Sequence, residues 1–256
     1  MKSIGVLQVI VLLTSFYFVN CQKLYKPDVG IIGGHSITID KAPYVVSLRL
    51  NGTYHWCGGS IIHELFVLTA AHCIVPKREF KVLVGTDKVD DEGHLYDVEK
   101  IFIHQKYNNL TSDYDICILK LNESLSFGPK VNKITLNDHK IKLKSRTMLN
   151  ATGWGYTQPE GKISKYLRQV TIPMVDSFSC QLAYGLKHKV TRRMFCAGGH
   201  GKDTCMGDSG GPLTKGDIQV GVTSFGAGCG ILPGVYTKIS VLHKWIKEII
   251  DANVNN

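Results

Sequence analysis

No stretch beyond residue 19 is long and apolar enough to cross a bilayer, and no two cysteines have the C-x-x-C spacing of a zinc site. No repeat or low-complexity tract is visible, so solenoid and disordered readings fall away. Composition is otherwise ordinary, with 44% apolar and 20% charged residues and a mean hydropathy near zero. Acidic residues are in deficit, with 21 against 30 basic ones. The basic residues are spread over the chain rather than grouped on a stripe with aromatics, so nucleic acid is not an expected partner.

What is present begins with a leader. Lys2 precedes an apolar run from Ile4 to Val19, and Val19-Asn20-Cys21 resembles a cleavage site. Residues 1–21 therefore read as a signal peptide, which implies a secreted, extracellular, soluble product without membrane attachment. Residues 1–30 hold three lysines and one aspartate, so a chain starting at Ile31 keeps +7 of the total +9. Eight cysteines in a secreted chain point to disulfides, and loss of Cys21 leaves an odd thiol.

From Tyr44 onward, short β-rich runs such as 80–84 and 219–222 alternate with glycine-rich turns, predicting an all-β barrel or sandwich. One helical stripe stands out. Leu242, Trp245, Ile246, Ile249 and Ile250 recur at helical spacing, predicting a C-terminal helix docked on the β core.

The chemistry concentrates in Gly207-Asp208-Ser209-Gly210-Gly211-Pro212. A serine hydroxyl is a weak nucleophile without a neighbouring base and donors for the oxyanion it creates. Glycines beside it let backbone N–H groups approach a substrate carbonyl. A chance match to all six positions is on the order of one in 10⁴ or rarer. Of ten histidines, His72 follows an apolar run and adjoins Cys73, which makes it the candidate base. Asp115 runs directly into the apolar segment 116–119 and is the preferred acid; Asp113, in a more polar setting, is its rival.

These motifs, together with Ile31-Ile32-Gly33-Gly34, Cys57-Gly58-Gly59-Ser60, Gly153-Trp154-Gly155 and Pro233-Gly234-Val235-Tyr236, resemble the chymotrypsin–trypsin family of serine endopeptidases from Ile31 to about Ile250. The resemblance implies two antiparallel β-barrels with the active site between them, over residues 31–136 and 137–256, the second ending in the terminal helix. It implies a His72–Asp115–Ser209 triad, an oxyanion hole from the N–H groups of Gly207 and Ser209, and Ser224 bonded to the acid. Asp203 corresponds to the floor of the specificity pocket, beside Thr204, with Gly226 and Gly234 as its walls. A buried carboxylate there is relieved by a substrate Arg or Lys, so cleavage after those residues is expected. The loop between Cys229 and Pro233 is shorter than in typical trypsins.

The resemblance further implies disulfides Cys57–Cys73, Cys180–Cys196 and Cys205–Cys229, with Cys117 a free buried thiol. It implies a propeptide at 22–30, whose removal lets the α-amino group of Ile31 pair with Asp208. The product is then a zymogen requiring an activating protease, and activity falls in alkali as that amine loses its charge. Gly30 before Ile31 does not suit a trypsin-like activator, so self-activation is not expected. Asn51, Asn109 and Asn122 lie in turn-like sequons and are expected to carry glycans; Asn150, in an apolar strand, is not. The acidic run Asp87, Asp90, Asp91 and Glu92 lacks calcium-ligand spacing, so neither metal nor other cofactor is expected. Expected partners are protein or peptide substrates and protein protease inhibitors, with the chain a monomer. The alternative is a catalytically silent relative acting as a binding or cofactor protein, against which the intact Ser, His and Asp argue.

Overall fold

The computed structural model describes residues 31–254 apart from 76, 77, 92, 159, 186, 187 and 200. The segments expected to be a leader (1–21) and a propeptide (22–30), and Glu92, lie outside the described residues. Fourteen strands follow one another: β1 (His35–Ser36), β2 (Val45–Leu50), β3 (Tyr54–His63), β4 (Phe66–Thr69), β5 (Phe80–Val84), β6 (His94–Ile103), β7 (Cys117–Leu121), β8 (Thr135–Leu136), β9 (Met148–Gly153), β10 (Arg168–Val175), β11 (Met194–Ala197), β12 (Pro212–Lys215), β13 (Ile218–Phe225) and β14 (Gly234–Lys238). Two α-helices, α1 (Ser177–Tyr184) and α2 (Ile239–Asn253), complete the described regular structure with two short 3₁₀ turns.

The strands close into two six-stranded antiparallel barrels. The first runs β2-β3-β4-β7-β6-β5, and the second closes β9-β10-β11-β14-β13-β12 through the β12–β9 pair. Closure pairs the strand edges that an open sheet would leave exposed. Burial along β10 alternates, with Arg168, Val170, Ile172 and Met174 inward, as a two-residue period requires. Every residue of β7 is buried, including Lys120, whose ammonium pairs with Glu99 at 3.0 Å, as a buried charge requires.

The chain ends cross over. β1 pairs with β10 of the second barrel, whereas Leu242 and Ile246 of α2 join the core of the first, which also contains Phe66, Leu68 and Ile118. Ile31 is buried in the other core with Leu149, Val170, Ile172 and Tyr236. Three disulfides, Cys57–Cys73, Cys180–Cys196 and Cys205–Cys229, join the expected pairs. Loops of this size are worth about 3 kcal/mol each in the chain-entropy account. Cys117 is free and buried, and burial pushes its thiol well above the ordinary value. Among the described residues, no helix is long and apolar enough to cross a membrane.

Candidate active site

β4 delivers the chain into a 3₁₀ turn, Ala71–Cys73, that carries His72, and the Cys57–Cys73 disulfide fixes the next residue to β3. Opposite stands Asp115, fully buried immediately before β7. Its Oδ1 accepts the His72 backbone N–H at 2.9 Å, and its Oδ2 accepts from His72 Nδ1 at 2.7 Å. Ser224 Oγ donates to the same Oδ2 at 2.5 Å, and Thr237 Oγ1 donates to the Asp115 carbonyl at 2.7 Å. With Nδ1 donating to a carboxylate, the imidazole tautomer is set and Nε2 is left as the basic nitrogen. Asp113, the rival acid, instead bonds Arg193 and Thr191.

Ser209 and His72 line one cavity of about 310 Å³ between the barrels, together with Thr204, Cys205, Met206, Thr223, Ser224, Phe225, Gly226 and Cys229. The His72 ring is hydrogen-bonded to Asp115, not to Ser209; hydrogen bonds to a nucleophile tighten as the reacting complex forms. The donor atoms of Cys57, His72 and Cys73 lie within 4.8 Å of one another. Both sulfurs are spent in one disulfide, so no thiolate is left to bind a metal.

The turn before the serine leaves backbone donors open. The N–H of Asp208 bonds the Cys205 carbonyl, but those of Gly207 and Ser209 find no acceptor among the described residues. Two unpaired N–H groups flanking a serine can receive a developing oxyanion. Gly207 adopts φ +93°, and a Cβ there would meet Ile163 at 2.5 Å, so the position needs glycine. Its carbonyl accepts from His55 Nε2 at 2.9 Å, while His55 Nδ1 bonds Ser47 Oγ at 2.7 Å. Burial lowers the His55 pKa to about 4, so the ring stays neutral and donates through Nε2. Nothing in the local sequence around His55 marks this link, because its partner lies 152 residues away.

Behind the cavity lining sits Asp203, 1% exposed. Its Oδ1 accepts from Thr204 N at 2.8 Å and its Oδ2 from Gly230 N at 3.2 Å. Burial raises its pKa to about 6, against the lowering effect of these backbone donors. A Cβ on Gly234 would meet Asp203 Oδ1 at 2.8 Å, whereas one on Gly226 would meet only the Gly234 Cα at 3.8 Å and project into open space. Met206, 65% exposed, stands at the rim. Thr204 Oγ1 shares a hydrogen bond with the Tyr236 hydroxyl at 3.1 Å.

Asp208 points away from the cavity. Its carboxylate accepts from Gly155 N at 2.8 Å and Cys205 N at 2.9 Å. Burial raises its pKa to about 7, and no cation lies within ion-pair distance among the described residues. Asn51, Asn109 and Asn122 are exposed, whereas Asn150 is half-buried in β9 and accepts from Thr171 Oγ1.

Two barrels enclosing a histidine, a buried aspartate and a serine beside open N–H groups define a serine-protease architecture. The trypsin family model matches residues 31–246. The chain is 38% identical over 224 residues to trypsin 5G1 of Aedes aegypti, covering 86% of this chain and 84% of that one. It is 37% identical to the vitellin-degrading protease of Bombyx mori (87% and 86% covered) and 37% identical to hypodermin-B of Hypoderma lineatum (86% and 88%). The chain belongs to the trypsin family of serine proteases.

Proposed function

We propose that the protein is a secreted endopeptidase that hydrolyses peptide bonds after Arg or Lys, made as a zymogen and activated by cleavage before Ile31. The observation that carries the catalytic part is the Asp115 carboxylate, which takes both N–H groups of His72 and the Ser224 hydroxyl.

Ser209 Oγ attacks the scissile carbonyl carbon while His72 Nε2 takes its proton. The N–H groups of Gly207 and Ser209 receive the oxyanion. Collapse breaks the C–N bond, and His72 returns the proton to the departing amine. Water, deprotonated by His72, then attacks the acyl-enzyme and releases the acid and free Ser209. Asp115 holds the ring and stabilises the imidazolium throughout.

Asp203 supports the preference for Arg or Lys. A carboxylate in a buried slot is costly as an anion, and a substrate cation lowers that cost. Asp208 supports the activation step in the same way. In the precursor the Ile31 nitrogen is an uncharged amide, so the buried carboxylate has no counter-charge. Cleavage creates an ammonium at a residue already buried in the second core, and the resulting pair holds the turn that carries Gly207 and Ser209. Asn51, Asn109 and Asn122 are the glycan acceptors of the secreted form.

The test is to cleave the precursor before Ile31, label it with an organophosphorus inhibitor and profile the peptides it cuts. A Ser209 adduct and cuts after Arg or Lys are expected. No adduct would point to a catalytically silent relative, and cuts confined to aromatic or small residues would refute the Asp203 assignment.

A further inference from the structure

The basic residues, dispersed over the chain as a whole, thicken in the connection between the barrels. Residues 130–146 contain Lys130, Lys133, Lys140, Lys142, Lys144 and Arg146 against one acid, Asp138. That segment therefore supplies +5 of the +7 carried by a chain starting at Ile31. All six cations are exposed. Lys140 pairs with Asp138 at 2.9 Å, and the other five make no ion pair among the described residues.

The backbone under these charges is held in place. Ile141 and Leu143 pack against the second core, so Lys140, Lys142 and Lys144 alternate with them on the outer side. Asn137 clamps Ile141 through Nδ2 to its carbonyl and Oδ1 to its N–H, both at 3.0 Å. Lys144 N donates to Thr147 Oγ1 at 3.2 Å, Thr147 N to the Lys144 carbonyl at 3.0 Å, and Arg146 N to the Met174 carbonyl at 2.8 Å. Lys140, Lys142 and Lys144 are then each at most about 7 Å from the next along the chain. Presenting charges from a fixed backbone lowers the ordering cost of binding.

The strip also lies away from the cleft. β8 pairs with the start of β13 at Ile218 and Gln219, whereas Thr223, Ser224 and Phe225 at the far end of β13 line the cavity. That is roughly 20 Å of strand. A partner on the strip leaves the cavity open. Its chemistry is that of a linear polyanion, since Lys140, Lys142 and Lys144, at every second residue of one packed segment, form a row rather than a pocket. Residues 128–147 contain no Phe, Tyr or Trp, so the strip offers no platform on which bases could stack.

We propose that Lys133, Lys140, Lys142, Lys144 and Arg146 form a docking strip for a linear sulfated polysaccharide, which tethers the protein while its cleft stays accessible; Lys130 lies apart, beside Asp40, Asp87 and Asp91. The assignment goes beyond the proteolytic reading and does not need it, because binding is measured on the intact precursor. Heparin is the probe. The precursor is expected to stay on immobilised heparin in 0.15 M NaCl, and the triple variant K142E/K144E/R146E to lose roughly tenfold or more in affinity. A control of equal charge change on the first half of the chain, K41E/K88E/K100E, is expected to retain most of the binding. Equal losses in the two variants would mean a net-charge effect and overturn the proposal, as would failure of the wild type to bind. Tighter binding to single-stranded DNA than to heparin would overturn it in favour of a nucleic-acid surface. Should the triple variant not fold, acetylation of the wild type decides: heparin is expected to protect Lys142 and Lys144, and unchanged labelling would refute the strip.

Discussion

Asp113 stands two residues before Asp115, yet its carboxylate belongs to Arg193 of the other barrel. Arg193 Nε bonds Asp113 Oδ1 at 2.8 Å, a second guanidinium N–H reaches Oδ2, and Thr191 Oγ1 adds a bond at 2.9 Å. Burial alone would raise the Asp113 pKa, but the Arg193 and Thr191 hydrogen bonds outweigh it and hold the group below its ordinary value. Between the two acids, Tyr114 takes φ +56°. Its ring lies 4.4 Å from the Arg193 guanidinium carbon and stacks on His104 at 4.5 Å. The segment that presents Asp115 to His72 is thus tied across the barrel junction.

Removing that tie should cost both stability and rate. Arg193→Ala is expected to destabilise the protein by about 1–3 kcal/mol, since it strands a half-buried carboxylate. It should also lower kcat roughly tenfold through Asp115 and His72, with KM little changed. Denaturant unfolding and steady-state kinetics on a peptide substrate check the two parts. Arg193→Lys restores the charge but not the two-pronged bond, so only partial rescue is expected.

The triad itself makes the largest prediction. Ser209→Ala and His72→Ala, each in activated protein, should lower kcat by roughly 10⁶, and the double variant by little more, because the two act as one unit. Substrate affinity of the inactive variants, measured with a peptide inhibitor, should stay near that of the wild type.

Asp203 predicts both a specificity loss and a pH effect. Asp203→Ser should lower kcat/KM for Arg and Lys substrates by roughly 10²–10⁴, the equivalent of about 3–5 kcal/mol for a buried pair broken on one side. With a pKa of about 6, the carboxyl becomes neutral as pH falls through that value. KM for cationic substrates should then rise below pH 6 more steeply than KM for an uncharged analogue, a comparison that isolates Asp203.

Asp208 should make the precursor lose stability as pH rises. The folded-state pKa of Asp208 is about 7, above its ordinary 3.8, so the native state binds the extra proton. The stability contributed by Asp208 is full below about pH 4 and is lost as pH rises through 7. His55 has the opposite sign: with a folded pKa of about 4 against 6.5, its share is full above 6.5 and lost toward pH 4. The difference between wild-type precursor and Asp208→Asn isolates the first effect. It should grow from pH 4 to 8 by about 2–4 kcal/mol in favour of the variant, and cleavage before Ile31 should reverse it. A flat difference would show that the carboxylate already has a counter-charge in the precursor.

Much of the molecule was legible before any coordinates, because local patterns record local physics. The Gly207–Pro212 run announces a tight turn with exposed backbone donors. The Leu242–Ile250 stripe announces a helix, although not that its Leu242 and Ile246 enter the core of the first barrel. Cys117 reads as a buried thiol because it interrupts an apolar strand. Tertiary structure alone decided which distant partners these groups meet. Asp113 and Asp115 are the same residue type two positions apart, and only barrel closure turns one toward Arg193 and the other toward His72. His55 acquires its role from a carbonyl 152 residues away. The N–H groups of Gly207 and Ser209, expected as donors from the resemblance, find no acceptor among the described residues. Sequence periodicity fixes which side of an element is buried; which distant group meets it depends on how the two barrels close against each other.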